Sequence, residues 1–237
     1  MERMVKGQLP NGKEVMGSEV EGGEDMVIRK RFSILLIAFL IVGCAGVLHD
    51  NLKIPAGKIA GDQFTGMRYP FKASAPPNWK MTTEFPDFLG KLGYDKPSPY
   101  DKEVTELYIF NPSTESNFQI DFTPANRGVR FSQESIEQLT AAGTESLKSE
   151  LESAYGKGTV KVEVGPTEPI SLKGVQFAAR KYVTYTLSGV KREQGWIYGF
   201  SEPYQIFILY MILEKEGAHD RQDMKTILDS FEVTSEK

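Results

Sequence analysis

The stretch Tyr204-Gln205-Ile206-Phe207-Ile208-Leu209-Tyr210-Met211-Ile212-Leu213 decides the fold. At the two-residue period of a strand, Tyr204, Ile206, Ile208, Tyr210 and Ile212 fall on one side, and Phe207, Leu209, Met211 and Leu213 on the other. A strand that is apolar on both sides is expected to be covered on both faces. The stretches before it, 159–164, 176–187 and 194–201, are also β-rich, with Pro166, Gly174, Gly189 and Glu202-Pro203 as punctuation between them.

Helices are the natural covers. Ile136, Leu139, Leu147, Leu151 and Ala154 recur near the helical period and predict one long helix over 133–155. Ser132 is placed to cap its first amides, Phe131 and Ile136 have the spacing of a hydrophobic staple, and Gly156-Lys157-Gly158 suits a stop. The GKGT that follows lacks the upstream glycine of a phosphate loop and stands behind a helix instead of a strand. A second helix is expected around Met224, Ile227, Leu228 and Phe231, at i, i+3, i+4 and i+7, with a short strand after it.

Upstream, residues 64–73 predict an opening strand, broken by Pro76-Pro77-Asn78 ahead of a core Trp79. Residues 86–102 form a Gly/Pro-punctuated loop with one helical turn at 87–92. Residues 106–110 and 118–122 flank Asn111-Pro112-Ser113-Thr114 and predict a hairpin.

Composition excludes several classes of function. The 28 basic and 32 acidic residues leave a net charge of −4, which argues against nucleic acid as a partner. One cysteine forms no internal disulfide, and with two histidines it builds no tetrahedral Cys/His zinc site; no cofactor is expected.

That cysteine has its own explanation. Arg29, Lys30 and Arg31 form a positive n-region and residues 32–42 an apolar h-region. Ile41-Val42-Gly43-Cys44 follows, and it resembles the lipobox of bacterial lipoproteins. The resemblance implies cleavage between Gly43 and Cys44, acylation of Cys44 and anchorage to a membrane through the lipid. The run is somewhat short for an uncleaved span of ~20 apolar residues, which is the rival reading. Met26 is the better start for such a signal, so residues 1–25 are a mis-assigned start or a disordered extension, 26–43 the signal peptide, and 44–61, with His49, a lipidated tether. In Gram-negative lipoproteins an aspartate after the cysteine favours inner-membrane retention; Ala45 stands here. The resemblance therefore implies the periplasmic face of the outer membrane, or the cell membrane of a Gram-positive organism.

Residues 62–237 make the globular domain. Pro77-Asn78-Trp79, the run from Gly174 through Val175, Gln176 and Phe177 to Ala178-Ala179, and Ile227-Leu228-Asp229-Ser230-Phe231, in this order of elements, resemble the PsbP-like fold. That implies an α+β architecture, an antiparallel sheet with helices on both faces, used for binding and scaffolding and sharing no catalytic constellation.

The chemistry of the remaining residues is sparse. No Gly-x-Ser-x-Gly elbow appears, and His219 alone of the histidines lies in the domain. Asp121, Glu163 and Glu168 are carboxylates that a hydrolase needs to bring together. The acidic residues from Glu214 to Asp223 suit an oxygen-ligated cation less well than the amino terminus of a helix. Trp196, Tyr198 and Tyr204 are the candidate ligand-binding residues, Trp196 and Tyr204 standing near strand ends or turns. The expected function is that of a membrane-anchored lipoprotein whose extracytoplasmic domain binds an envelope protein or a small ligand. A lipid-anchored hydrolase and a structural or stress-response envelope component are the alternatives.

Overall fold

The structure is a computed structural model and describes residues 53–92, 94, 96, 105–125, 128–215 and 219–234. Gly43, Cys44 and the signal-like segment lie outside the described residues.

The doubly apolar stretch forms β11, Tyr204–Glu214, which lies in the middle of a large antiparallel sheet. Its full-length partners are β10, Val190–Ser201, and β6, Asn117–Pro124. The sheet continues outward from β6 to β5, Thr105–Phe110, and β4, Lys80–Thr82. On the other side β10 pairs with β9, Phe177–Leu187, which carries the short edge strands β7, Glu163–Val164, and β8, Glu168–Pro169. Every pairing in this sheet is antiparallel, and β9, β10 and β11 turn directly into one another: Ser188 and Gly189, both at positive φ, join β9 to β10, and Glu202-Pro203 joins β10 to β11.

Helices stand on both faces, as the pattern predicts. One face carries α2, Gln133–Ala142, and α3, Thr144–Tyr155, whose Ile136, Leu147 and Leu151 bury against Ala179, Val183, Trp196 and Tyr198. Ser132 caps α2, in a reciprocal box closed by the Ser135 hydroxyl. The single helix expected over 133–155 is broken at Gly143, which ends α2 and starts α3. The Thr144 hydroxyl donates to the Ala141 carbonyl at the joint and takes up an acceptor freed by the break.

The opposite face is covered by α4, Asp220–Ser230, and by a second sheet absent from the sequence reading. That sheet comprises β1, Gly57–Ala60; β2, Gln63–Gly66; β3, Phe71–Ser74; and the terminal β12, Glu232–Val233. The opening strand expected over 64–73 is thus two strands, interrupted at 67–70, where Pro70 has no amide to donate to a ladder. The ordered domain also begins earlier than residue 62: β1 lies in the stretch read as tether, and the Arg68 Nε donates to the Ile54 carbonyl. Gly174, at φ +72°, is required where β12 crosses, since a Cβ there would collide with the Val233 carbonyl.

Candidate functional site

Two-residue alternation assigns every side chain of the large sheet to a face. On the face of α2 and α3, cross-strand partners form rows across β10, β11, β6 and β5. Gln194, Met211, Asn117 and Phe110 make one row; Trp196, Leu209, Gln119 and Tyr108 the next; Tyr198, Phe207, Asp121 and Thr105 the third. α2 packs on β9 and β10, and α3 on β9. Across the sheet the short helix α1, Asp87–Lys91, covers β5 through the Phe88–Phe110 ring pair, and Phe85 just ahead of it lies edge-on to Tyr108. Between these covers lie β11 and β6. Phe207, Leu209 and Asp121 are only half-buried, so the apolar strand β11 is fully covered on the α4 face and partly covered on this one.

β6 lines this strip with polar groups. Asn117, Gln119 and Asp121 point to the α2 face, whereas Phe118, Ile120 and Phe122 fill the opposite core. Asn117 is 1% exposed and Gln119 6%. The Asn117 Nδ2 donates to the Glu115 carbonyl, but among the described residues the buried Asn117 Oδ1, Gln119 Nε2 and Asp121 Oδ1 have no hydrogen-bond partner. A buried polar atom left unpaired costs ~1 to 3 kcal/mol, so three in one row on one strand call for a reason. Burial pushes the Asp121 carboxyl up to about 6, against the lowering effect of a hydrogen bond from Thr105. Burial also lifts the nearby Glu106 carboxyl to about 7, outweighing the Arg68 guanidinium 2.7 Å away.

These two carboxyls make stability depend on pH. Each binds its proton more tightly in the folded chain than at the ordinary ~4 of an unfolded one. The folded state therefore holds the extra protons between about pH 4 and 7, and stability falls as pH rises through that window. Asp121→Asn is expected to remove about 2 kcal/mol of the loss, a partial exposure having been allowed for. Urea denaturation at pH 4.5 and pH 8 checks this; an unchanged pH slope in the variant contradicts it.

The residues singled out in the sequence scatter. Trp196 and Tyr198 lie on the α2 face, buried, with the Trp196 Nε1 donating to the Thr140 carbonyl at 2.7 Å and Tyr198 4.9 Å from Phe207. Tyr204 lies on the other face, edge-on to Tyr69 at 5.4 Å, so the three form no common patch. Asp121, Glu163 and Glu168 stand on three different strands, with Glu163 paired to Lys161 in solvent. Asp220 accepts from the Asn111 Nδ2 and the Ser116 hydroxyl, and Asp223 accepts from the Trp79 Nε1. Their oxygens fasten α4 to the β5–β6 turn and to Trp79; no group of metal-holding side chains occurs among the described residues. The polar row of β6 was visible in the sequence as alternation, but its burial was not.

The class defined here is an antiparallel α+β sandwich with a partly uncovered strip on the α2 face. No protein-family model matches the sequence, and no curated protein matches it. Among solved structures, the solution structure of cyanobacterial PsbP (CyanoP) from Synechocystis sp. is similar at 12% identity and a TM-score of 0.42, over 81% of this chain and 99% of that one. A Bacteroides thetaiotaomicron protein is similar at 10% identity and a TM-score of 0.43, over 75% of this chain; the match spans 50% of that protein's length. LpqN, involved in cell envelope biogenesis of Mycobacterium tuberculosis, is 11% identical with a TM-score of 0.43, over 70% of this chain and 84% of that one.

Proposed function

We propose that this chain is a lipoprotein, anchored through acylated Cys44, whose extracytoplasmic domain binds a small ligand or an envelope protein on the α2 face of its large sheet. The observation that carries the binding is the row of unpaired polar atoms on β6 beside half-buried Phe207 and Leu209. A domain built only to fill space gains from apolar residues there. The lipobox Ile41-Val42-Gly43-Cys44 supports the anchor, and Ala45 supports the periplasmic face of an outer membrane. Among the described residues no helix is long and apolar enough to cross a membrane. With Ile54 already bonded to the domain, the nine residues from Ala45 to Lys53 span roughly 30 Å at full extension. The domain is therefore held close to the bilayer.

Cys44→Ser is expected to abolish acylation, because a hydroxyl cannot form the thioether, and to leave unprocessed precursor. Detergent-phase partitioning and the mass of the mature chain check it; identical maturation of the variant contradicts the anchor. For binding, the small-molecule fraction of an envelope extract should raise the thermal midpoint of the purified chain. Failure of every fraction, together with failure to crosslink any envelope protein through the α2 face, contradicts a binding role.

A further inference from the structure

We propose that the outer face of the small sheet rests on the phospholipid bilayer that holds the anchor, an assignment that depends on the lipoprotein reading above. Phe64 and Phe71 point inward to the core, so alternation turns their neighbours outward. Lys58, Thr65, Lys72 and Glu232 are successive cross-strand partners, and Lys173 bridges to Glu232, so one row crosses the whole sheet on its outer side. Lys58, Lys72 and Lys173 are exposed, and none of the three has an ion-pair partner among the described residues. Glu232 is the one acidic residue in the row, which is therefore net positive. Apolar side chains show at its rim. Ile54 is 41% exposed and Met67 59%, and the Met67 amide donates to the Ala56 carbonyl, which ties it to the stretch that carries Ile54. Ile59, opposite Phe64, shows at the open edge of β1.

Lysines beside exposed apolar side chains suit a bilayer surface, where ammonium groups meet anionic headgroups and apolar side chains enter the acyl boundary. A second copy of the chain brings the same three lysines against these and is repelled. The tether selects the side. Its roughly 30 Å of reach is less than the roughly 40 Å that a domain of this length is across. It enters the domain directly before β1, the edge strand of this sheet, so this face stays within reach of the bilayer. The α2 face, across the large sheet, then looks into the envelope and stays open to a ligand or partner.

The acylated full-length chain, reconstituted into vesicles of phosphatidylethanolamine and phosphatidylglycerol, tests this. Acylation occupies the Cys44 thiol, so Met67→Cys takes a single bimane label. Val164→Cys is the control: Val164 is 48% exposed and is the cross-strand partner of Val183 on the α2 face. Lipids brominated on their upper acyl carbons are expected to quench the label at position 67 and to leave that at 164 bright. Most of the quenching should be lost in the double variant Lys58→Glu with Lys72→Glu, and also at high salt, which screens exposed charges. If Met67→Cys does not fold, Ile54→Cys takes its place. Equal quenching at the two positions, or quenching that the double variant leaves undiminished, overturns the proposal. If the chain carries lipid by mass and floats with the vesicles while position 67 stays bright, the docking fails and the anchor stands. A chain that carries no lipid and stays off the vesicles sinks both.

Discussion

Replacing Phe71 by alanine is expected to cost ~3 to 5 kcal/mol, the range for a buried Phe, out of a typical total of ~5 to 15. Phe71 is 1% exposed and joins the two sheets: its ring lies 4.6 Å from Phe122 of the large sheet, 4.9 Å from Phe64 of the small one and 5.8 Å from Phe231 after α4. No single neighbour can collapse into the space, because the three rings come from different elements, Phe122 and Phe64 held by their ladders and Phe231 by its amide bonds to the last turn of α4. Phe207→Ala serves as the comparison. From the doubly apolar pattern of β11 it should rank with the worst substitutions, but Phe207 is half-buried where the cover on the α2 face is partial, and the smaller loss is expected there. Denaturant midpoints of the two variants, with m-values unchanged, check the order. An equal loss at Phe207 contradicts the partial cover of that face; a neutral Phe71→Ala contradicts the packing of the small sheet on the large one.

The contrast between these two phenylalanines shows where sequence reasoning stops. Alternation in 204–213 reveals that both sides of β11 are apolar, and helical spacing around Ile136 and Met224 supplies the covers. Neither tells how far a cover reaches, since that depends on which strands lie beneath it. The small sheet was missed for a different reason. Strands of four residues, such as β1 and β2, hold too few alternations to form a period, and β12 pairs with β3 only after the chain has built everything between them. The break at Gly143 had a visible signal, the glycine itself, outweighed by apolar positions that continue in phase on either side of it.

The polar row on β6 was legible in form and not in meaning. Asn-Phe-Gln-Ile-Asp-Phe from Asn117 to Phe122 alternates strictly, and such a strand is normally wet on its polar side. Phe85 and Phe88 pack on Tyr108 and Phe110 of the neighbouring strand, and Asn117 and Gln119 are buried in the folded chain. Burial then turns ordinary surface chemistry into unpaired atoms, which is why the ligand hypothesis arises only from the structure.

Glu193 carries the same lesson with a larger energetic consequence. In Val190-Lys191-Arg192-Glu193 it looks like one more solvated charge ahead of the strand, yet β10 starts at Val190 and Glu193 is 1% exposed on the α4 face. The Arg180 guanidinium donates to one carboxylate oxygen at 2.5 Å, the Tyr210 hydroxyl donates to the same oxygen at 3.0 Å, and Arg221 of α4 donates to the other. Gly195 makes room for this arrangement, since a Cβ there would collide with the Tyr210 phenol. Arg180 also sits 4.6 Å above the Tyr182 ring, so it is held in place whether or not its counter-ion is present. Glu193→Ala therefore leaves a partly buried guanidinium and a phenol without their acceptor, and breaking such a pair from one side costs ~3 to 5 kcal/mol. Removing both charges is a different experiment. The double variant Glu193→Leu with Arg180→Met replaces the pair by apolar groups of similar volume, while Arg221 keeps its partner Glu214 at 2.5 Å. Its stability is expected to recover part of that loss and to stay below the starting protein by the ~1 to 3 kcal/mol that the Tyr210 hydroxyl costs once it is buried without either partner. Urea midpoints for the single and double variants check this. A double variant as unstable as Glu193→Ala means that the carboxylate acts through its link to Arg221 and α4, and the buried pair with Arg180 is then not what holds β9 to β10.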